Sequence, residues 1–264
     1  MEKYLVIGNP IEHSLSPKLH NFWMKKNNID AIYEKQKILD SDLKNLIIKV
    51  QKREISGINV TVPFKKKVID YLDKLSPGSE ITQSVNTISL DGKNLIGHNT
   101  DINGFELAIK NINFNVLNKK ILILGAGGVV SSIIFALKKL KAQQIIVSNR
   151  TKEKAENLKK LFKDIEIINW GNVPDFDLII NATSVGLKND DKISLDLSKI
   201  SKGKFFYDVI YNPKETNFLK EAKKLGNKIE NGKKMFIYQA AAAFELWHKI
   251  KPEIDENVNA LLDD

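Results

Sequence analysis

Apolar residues fall along the chain in two successive rhythms. Over the first hundred residues, the short runs "YLVIG", "AIYEKQKI" and "GINVTVP" are separated by stretches with helical spacing, one after Ser16 and one in "SDLKNLIIKVQKR". Short apolar runs alternating with amphipathic segments predict βαβ units and a parallel or mixed sheet. The alternation restarts near residue 118. "KKILILG" reads as a strand, "GGVVSSIIFALKKLKA" as a helix, "QQIIVSNR" as a strand and "TKEKAENLKKLF" as a second helix. In the first of these helices positions 129, 130, 133, 134, 137 and 140 share one face. "DIEIINW" at 164–170, "FDLIINAT" and "KGKFFYDVIY" read as further strands, and "FIYQAAAAFELWHKI" turns helical again.

The expected class is therefore α/β: a substrate domain from the N-terminal hundred residues, a dinucleotide-binding domain up to about residue 232, and a C-terminal helical segment whose affiliation composition leaves open. No repeat or low-complexity tract interrupts this order. With 264 residues and 42% hydrophobic content the chain suits two ordinary folded domains. It lacks a basic, apolar leader and any run of 18 apolar residues, so a soluble, cytoplasmic protein with no membrane partner is expected. The absence of cysteine excludes a disulfide, a thiolate nucleophile and a Cys-ligated zinc. The four histidines, His13, His20, His98 and His248, have no HExxH-like spacing, so no metal is expected.

The net charge of +9 invites a nucleic-acid reading, yet only Arg53 and Arg150 are arginines among 41 basic residues. The lysines are interleaved with acids, as in "TKEKAENLKK", which describes a solvated surface and no nucleic-acid partner.

Candidate chemistry sits at four places. "ILILGAGGVVSS" puts Gly125, Gly127 and Gly128 at a strand-to-helix turn, where the chain can approach a pyrophosphate and offer it helix N–H groups. Val130 stands where the usual fingerprint has a third small residue. At the end of the following strand, "SNRTKEK" offers Asn149, Arg150 and Thr151 instead of a ribose-binding carboxylate, which favours a 2′-phosphate and hence NADP. The competing reading is a helix cap at Thr151 beside a surface arginine.

In "IEHSLSPKLHNFW", Ser16 and Pro17 fit a helix cap and first turn, while Ser14 and Ser16 together offer two hydroxyls to an anion. In "GINVTVPFKKKV", Asn59 and Thr61 share a strand face, and Lys65, Lys66 and Lys67 read either as a solvated helix start or as the source of one functional amine. Asn86 lies in the apolar "SVNTI", and Asp101, in "GHNTDINGF", suits either a helix cap or proton exchange with a lysine.

Taken in order, "HSLSP", "NVTVPFK", "VNT", "NTDINGF", "GAGG", "NRT", "NATSVGL", "YNPKETNFL" and "QAAAAFELW" resemble the shikimate dehydrogenase family over essentially the whole chain. The resemblance implies an αβα substrate domain with a mixed sheet at 1–101, joined by C-terminal helices at 233–264, and a Rossmann-type NADP domain at 102–232. It implies reduction of 3-dehydroshikimate to shikimate by NADPH, in a monomer or homodimer. Carried over residue by residue, Ser14 and Ser16 would bind the substrate carboxylate. Thr61, Asn86, Gln239 and Tyr211 would hold or flank the ring hydroxyls, and Lys65 with Asp101 would be the catalytic pair. Gly125, Ala126, Gly127, Gly128 and Val129 would meet the pyrophosphate. Asn149, Arg150, Thr151 and Lys154 would meet the adenosine phosphate, and Val209 and Gly232 the nicotinamide end. The chain departs from the family pattern at Val130, His98, Lys233 and Lys234. The rival expectations are a quinate/shikimate dehydrogenase using NAD or NADP, and a non-catalytic carboxylate-binding relative.

Overall fold

The first strand, β1 (Glu2–Gly8), is buried at every position from Tyr4 onward, the pattern of a strand covered on both faces. It opens a computed structural model that describes residues 1–188, 190–197 and 200–263. There follow α1 (Ser16–Lys26), β2 (Ala31–Lys37), α2 (Leu43–Gln51), β3 (Gly57–Val60), α3 (Phe64–Lys67), β4 (Lys74–Leu75), α4 (Pro77–Thr82), β5 (Thr87–Asp91), β6 (Asn94–His98) and α5 (Thr100–Asn111). The second series is β7 (Lys120–Leu124), α6 (Val130–Lys139), β8 (Gln144–Ser148), α7 (Lys152–Leu161), β9 (Glu166–Ile168), β10 (Leu178–Asn181), β11 (Phe205–Asp208), α8 (Asn217–Lys224) and β12 (Lys228–Glu230), and α9 (Lys233–His248) and α10 (Glu256–Ala260) complete the chain. The residues gather into two units, Met1–Gly104 together with the chain from Ile237 onward, and Phe105–Phe236.

The first unit holds a six-stranded sheet in the order β2-β1-β3-β5-β6-β4. β1 runs parallel to β2 and β3, whereas β5 is antiparallel to β3 and β6, so the sheet is mixed. β2 is the edge strand, and four of its seven residues, "EKQK", are exposed charged or amide side chains that discourage further pairing. Leu46, Ile47 and Val50 of α2 pack with Leu5, Ile58, Val60 and Ile88 in one apolar cluster. Full burial of such a side chain contributes about 1.5–3 kcal/mol.

The C-terminal segment joins this unit through Trp247, whose Nε1 donates to the Ile88 carbonyl at 3.0 Å. A Cβ on Gly57 would lie 2.4 Å from that same nitrogen, so the indole occupies the space that glycine leaves. Trp23 Nε1 likewise donates to the Glu253 carbonyl at 3.0 Å.

The second unit is built on a six-stranded, wholly parallel sheet, β12-β11-β10-β7-β8-β9. Numbered within the unit, this is the doubly wound order 3-2-1-4-5-6, in which ligands bind at the carboxyl ends of the strands where the winding reverses. Here the reversal falls between β7 and β10. The five-residue β7 and four-residue β10 are almost entirely buried, and α6 buries Val130, Ile133, Ile134 and Leu137 as its spacing predicts. It also buries Ser131, Ser132 and Ala136, which spacing alone assigns to the other side.

Local differences from the sequence reading have plain causes. α6 begins at Val130, not at the glycines, because the turn must first reverse at Gly125, whose φ is +110°. The strand expected at 164–170 is paired only over Glu166–Ile168, at the sheet edge. No helix is long and apolar enough to cross a membrane, among the described residues.

Candidate active site

Of the three consecutive lysines, one turns inward. Lys66 and Lys67 are exposed, and Lys67 pairs with Asp40 on the surface. The side chain of Lys65 is only 12% exposed and its Nζ donates to Asp101 Oδ2 at 2.5 Å; the Asp101 side chain is 8% exposed. α3 is too short to fix this direction by itself. The Val85 N–H donates to the Lys65 carbonyl at 2.8 Å and anchors the turn to the approach of β5.

Asp101 is therefore not the cap of α5. It lies in the first turn, and its second oxygen accepts from Asn86 Nδ2 at 2.9 Å. The orientation of that amide is decided chemically: Asn86 Oδ1 faces the backbone N–H of Thr100 at 2.7 Å, a group that can only donate, so the NH₂ must face the carboxylate. The same Nδ2 reaches Gln239 Oε1 at 3.4 Å. Lys65, Asp101, Asn86 and Gln239, separated by up to 174 positions in sequence, thus form one half-buried polar group in the first unit. Removing one member of a buried ion pair typically costs about 3–5 kcal/mol, because a charge is left uncompensated.

Thr61 stands one residue past β3, with its N–H donating to the Ile7 carbonyl at 2.9 Å and its methyl filling the space above Gly8. Its strand-face partner Asn59 braces the neighbouring strand. It is buried, donates to the Asn86 carbonyl at 3.0 Å and to Thr87 Oγ1 at 2.9 Å, and accepts from the Tyr33 hydroxyl at 2.6 Å.

Neither serine caps α1 as Ser16 was expected to. The helix starts at Ser16 itself with Leu15 in the cap position, and Ser14 Oγ accepts the Ser16 N–H at 3.4 Å. Ser14 is half-buried and Ser16 only 7% exposed. Ser16 lies near Tyr33, whose ionisation is pushed far up by burial, with Ser16 pulling the other way by less. Tyr33 is a fixed post: Asn21 grips its backbone with two hydrogen bonds, 2.8 and 2.9 Å, and His20 stacks on its ring at 4.2 Å. Burial, and after it the neighbouring His248, push the His20 pKa down to about 3, so that stack is a neutral one. Tyr33 escaped the sequence reading; the signal was a buried aromatic residue just before the exposed polar half of an edge strand.

The second unit gathers the remaining residues. Gly125 is buried, and a Cβ there would strike the Ala182 carbonyl oxygen at 2.8 Å. Ala126 and Val129 are half-buried, while Gly127 and Gly128 are exposed at the mouth of α6. Nothing approaches a Cβ on Gly127 closer than 4.0 Å, so the backbone there is open to a ligand. At the end of β8, Asn149 Nδ2 donates to the Thr151 carbonyl at 2.7 Å, and Arg150, Thr151 and Lys154 are exposed. Thr151 occupies the cap position of α7, yet its side chain makes no cap hydrogen bond. An open approach to Gly127, in the same unit as an exposed guanidinium and lysine with no acid at the strand end, fits a dinucleotide carrying an extra phosphate.

Val209 and Gly232 are neighbours: a Cβ on Gly232 would fall 2.0 Å from the Val209 carbonyl oxygen. Tyr211 belongs to this unit and stacks on Phe236 at 4.5 Å.

Three family models match the chain: a shikimate dehydrogenase substrate binding domain at residues 6–88, shikimate / quinate 5-dehydrogenase at 106–211, and a shikimate 5′-dehydrogenase C-terminal domain at 234–262. A shikimate dehydrogenase (NADP(+)) of Pelagibacter ubique (strain HTCC1062) is 60% identical over 260 residues, 98% of each chain. The chain belongs to the shikimate dehydrogenase family. Solved shikimate dehydrogenases share its fold. One, in complex with NADP+, is 36% identical with a TM-score of 0.93, covering 100% of this chain and 95% of its own. Another, from Thermus thermophilus, in complex with NADP(H) and shikimate, is 31% identical with a TM-score of 0.89, covering 100% and 98%. In this chain Asp101 contacts both Lys65 and Asn86, and Arg150 is exposed at the end of β8.

Proposed function

We propose that the chain interconverts 3-dehydroshikimate and shikimate with NADP(H), the first unit holding the substrate and the second the dinucleotide. The observation that carries the reading is the Lys65–Asp101 pair at 2.5 Å, screened from water and braced by Asn86. A charged amine held in place by a carboxylate is a ready proton donor.

In the reductive direction Lys65 Nζ gives its proton to the carbonyl oxygen that becomes the shikimate hydroxyl, and in the oxidative direction it takes that proton back. Asp101 orients the amine and accepts from a neighbouring ring hydroxyl. Asn86, Gln239 and Thr61 fix the ring, with Tyr211 flanking it, and Ser14 and Ser16 donate to the carboxylate. NADPH, when bound, supplies the hydride. Gly125, Ala126, Gly127, Gly128 and Val129 hold its pyrophosphate, Asn149, Arg150, Thr151 and Lys154 its 2′-phosphate, and Val209 and Gly232 its nicotinamide end. The reaction belongs to chorismate and aromatic amino acid biosynthesis. We infer that it runs in the cytoplasm, in a monomer or homodimer.

The lysine triplet carries its own control. Lys65→Ala should lower the turnover number about 10²–10⁴-fold with little change in the shikimate KM, whereas Lys66→Ala and Lys67→Ala should stay close to wild type. Equal losses in all three variants, or normal turnover in Lys65→Ala, would show that the acid lies elsewhere.

A further inference from the structure

Two motifs, "NATSVGL" and "YDVIYNPKETNFL", supply only Val209 and Tyr211 to the reading above, and they leave a buried acid without a task. Asp208, the last residue of β11, has no exposed surface. Burial pushes its pKa up to about 6, against the pull of Thr216, Ile210 and Asn181. A charge so placed is costly unless its acceptors are needed.

All of its acceptors are used. Asp208 accepts from Asn181 Nδ2 at 3.0 and 3.1 Å, from the Ile210 N–H at 3.0 Å and from the Thr216 hydroxyl at 2.6 Å. By taking that NH₂ the carboxylate fixes the Asn181 amide, which leaves Oδ1 to accept the Thr183 N–H at 3.1 Å and the Thr183 hydroxyl at 2.7 Å. Asn181 Nδ2 also donates to the Val185 carbonyl at 3.1 Å, and Thr183 Oγ1 accepts the Val185 N–H at 3.0 Å. One carboxylate therefore determines the path of residues 182–185. That path supplies the Ala182 carbonyl against which Gly125 is packed. On the other side, Asp208 fixes Ile210, whose carbonyl accepts the Gly232 N–H at 3.1 Å.

We propose that Asp208, acting through Asn181, is a positioning residue that sets the loop after β10 and the Val209–Ile210 segment for the nicotinamide end of NADP, and not for its adenosine phosphate. The proposal rests on the assignment of NADP to this unit. Only a double acceptor meets three donors at once, so Asp208→Asn must set an NH₂ against one of them while changing little in volume.

The test is the purified Asp208→Asn protein beside wild type, with binding of NADP+ and of the fragment 2′,5′-ADP measured by calorimetry and shikimate turnover measured separately. Misplacing a reactive group by about 1 Å costs on the order of a hundredfold, and smaller shifts cost less. The expected result is a turnover number lower by about tenfold or more and NADP+ binding weakened severalfold, with 2′,5′-ADP binding unchanged within about twofold. Parallel weakening of NADP+ and 2′,5′-ADP would reduce Asp208 to a structural residue and overturn the proposal, as would wild-type turnover in the variant. Should Asp208→Asn fail to fold, Thr216→Val removes one donor to Asp208, together with the α8 cap that the same oxygen provides to the Leu219 N–H, and must move the same quantities in the same direction by less; no change in it overturns the proposal. If wild type binds both ligands yet does not turn over shikimate, the substrate reading fails while the binding contrast still decides this one. If wild type binds neither ligand, both fail.

Discussion

The two units hold their site residues by different means. Around Lys65 the geometry comes from side chains locked onto one another: Asp101 on Lys65, Asn86 on Asp101, Asn59 beside Asn86, and Tyr33 on Asn59. Around Gly125 it comes from backbone, with exposed glycines at a helix mouth and a strand end that presents Arg150 to solvent. A locked network positions a proton within tenths of an ångström but has no slack for substitution. An open backbone cradle accepts a large anionic ligand and leaves discrimination to one or two exposed charges.

The contrast breaks most visibly at the serines. Ser14→Ala with Ser16→Ala removes two hydrogen bonds to a carboxylate, worth roughly 3–6 kcal/mol at most. The shikimate KM should rise by orders of magnitude while the NADP+ KM stays near its wild-type value. Steady-state kinetics with each substrate varied in turn checks this, and an unchanged shikimate KM would return both serines to helix geometry. Next in size is Arg150→Ala, which should lower kcat/KM for NADP+ by about 10–100-fold, the weight of a charge-assisted contact, and leave NAD+ within a small factor. Equal losses for the two cofactors would mean that the cradle selects by something other than this guanidinium.

Smallest is Tyr33→Phe, which removes the hydroxyl that donates to Asn59 near Ser16 and should raise the shikimate KM by about 2–10-fold, the worth of one neutral hydrogen bond. In a Ser16→Ala background the same change should do almost nothing further. Additive effects would show that Tyr33 acts on the fold and not through the serine.

The same contrast explains what could be read beforehand. The glycine turn, the parallel strands around it and Arg150 are local signals, written within some thirty consecutive residues from "KKILILG" to "SNRT", and the doubly wound sheet follows from them. The lysine triplet was visible but ambiguous, because α3 is a single turn and its direction depends on Val85 and Asp101, up to 36 positions away. Tyr33 could not be read at all, and Asn59 only as sharing a strand face with Thr61. Their pairing needs β1 to bring β2 and β3 into register, and a sequence does not display register. The place of the C-terminal segment was open for a similar reason: it depends on a tryptophan ring entering the gap over Gly57, 190 residues earlier. Asp208 hid as one acid at the end of an apolar run, and its meaning came only with the donors around it.

The central claim, shikimate oxidation with NADP+ by the Lys65 site, is tested most directly by the rate of reduced-cofactor formation from purified protein in four parallel reactions: shikimate or quinate, each with NADP+ or NAD+. The account predicts that with shikimate kcat/KM is larger for NADP+ than for NAD+ by about tenfold or more, the gap that one extra charge-assisted contact supports. Turnover that is equal or faster with NAD+, or absent in all four, would contradict it.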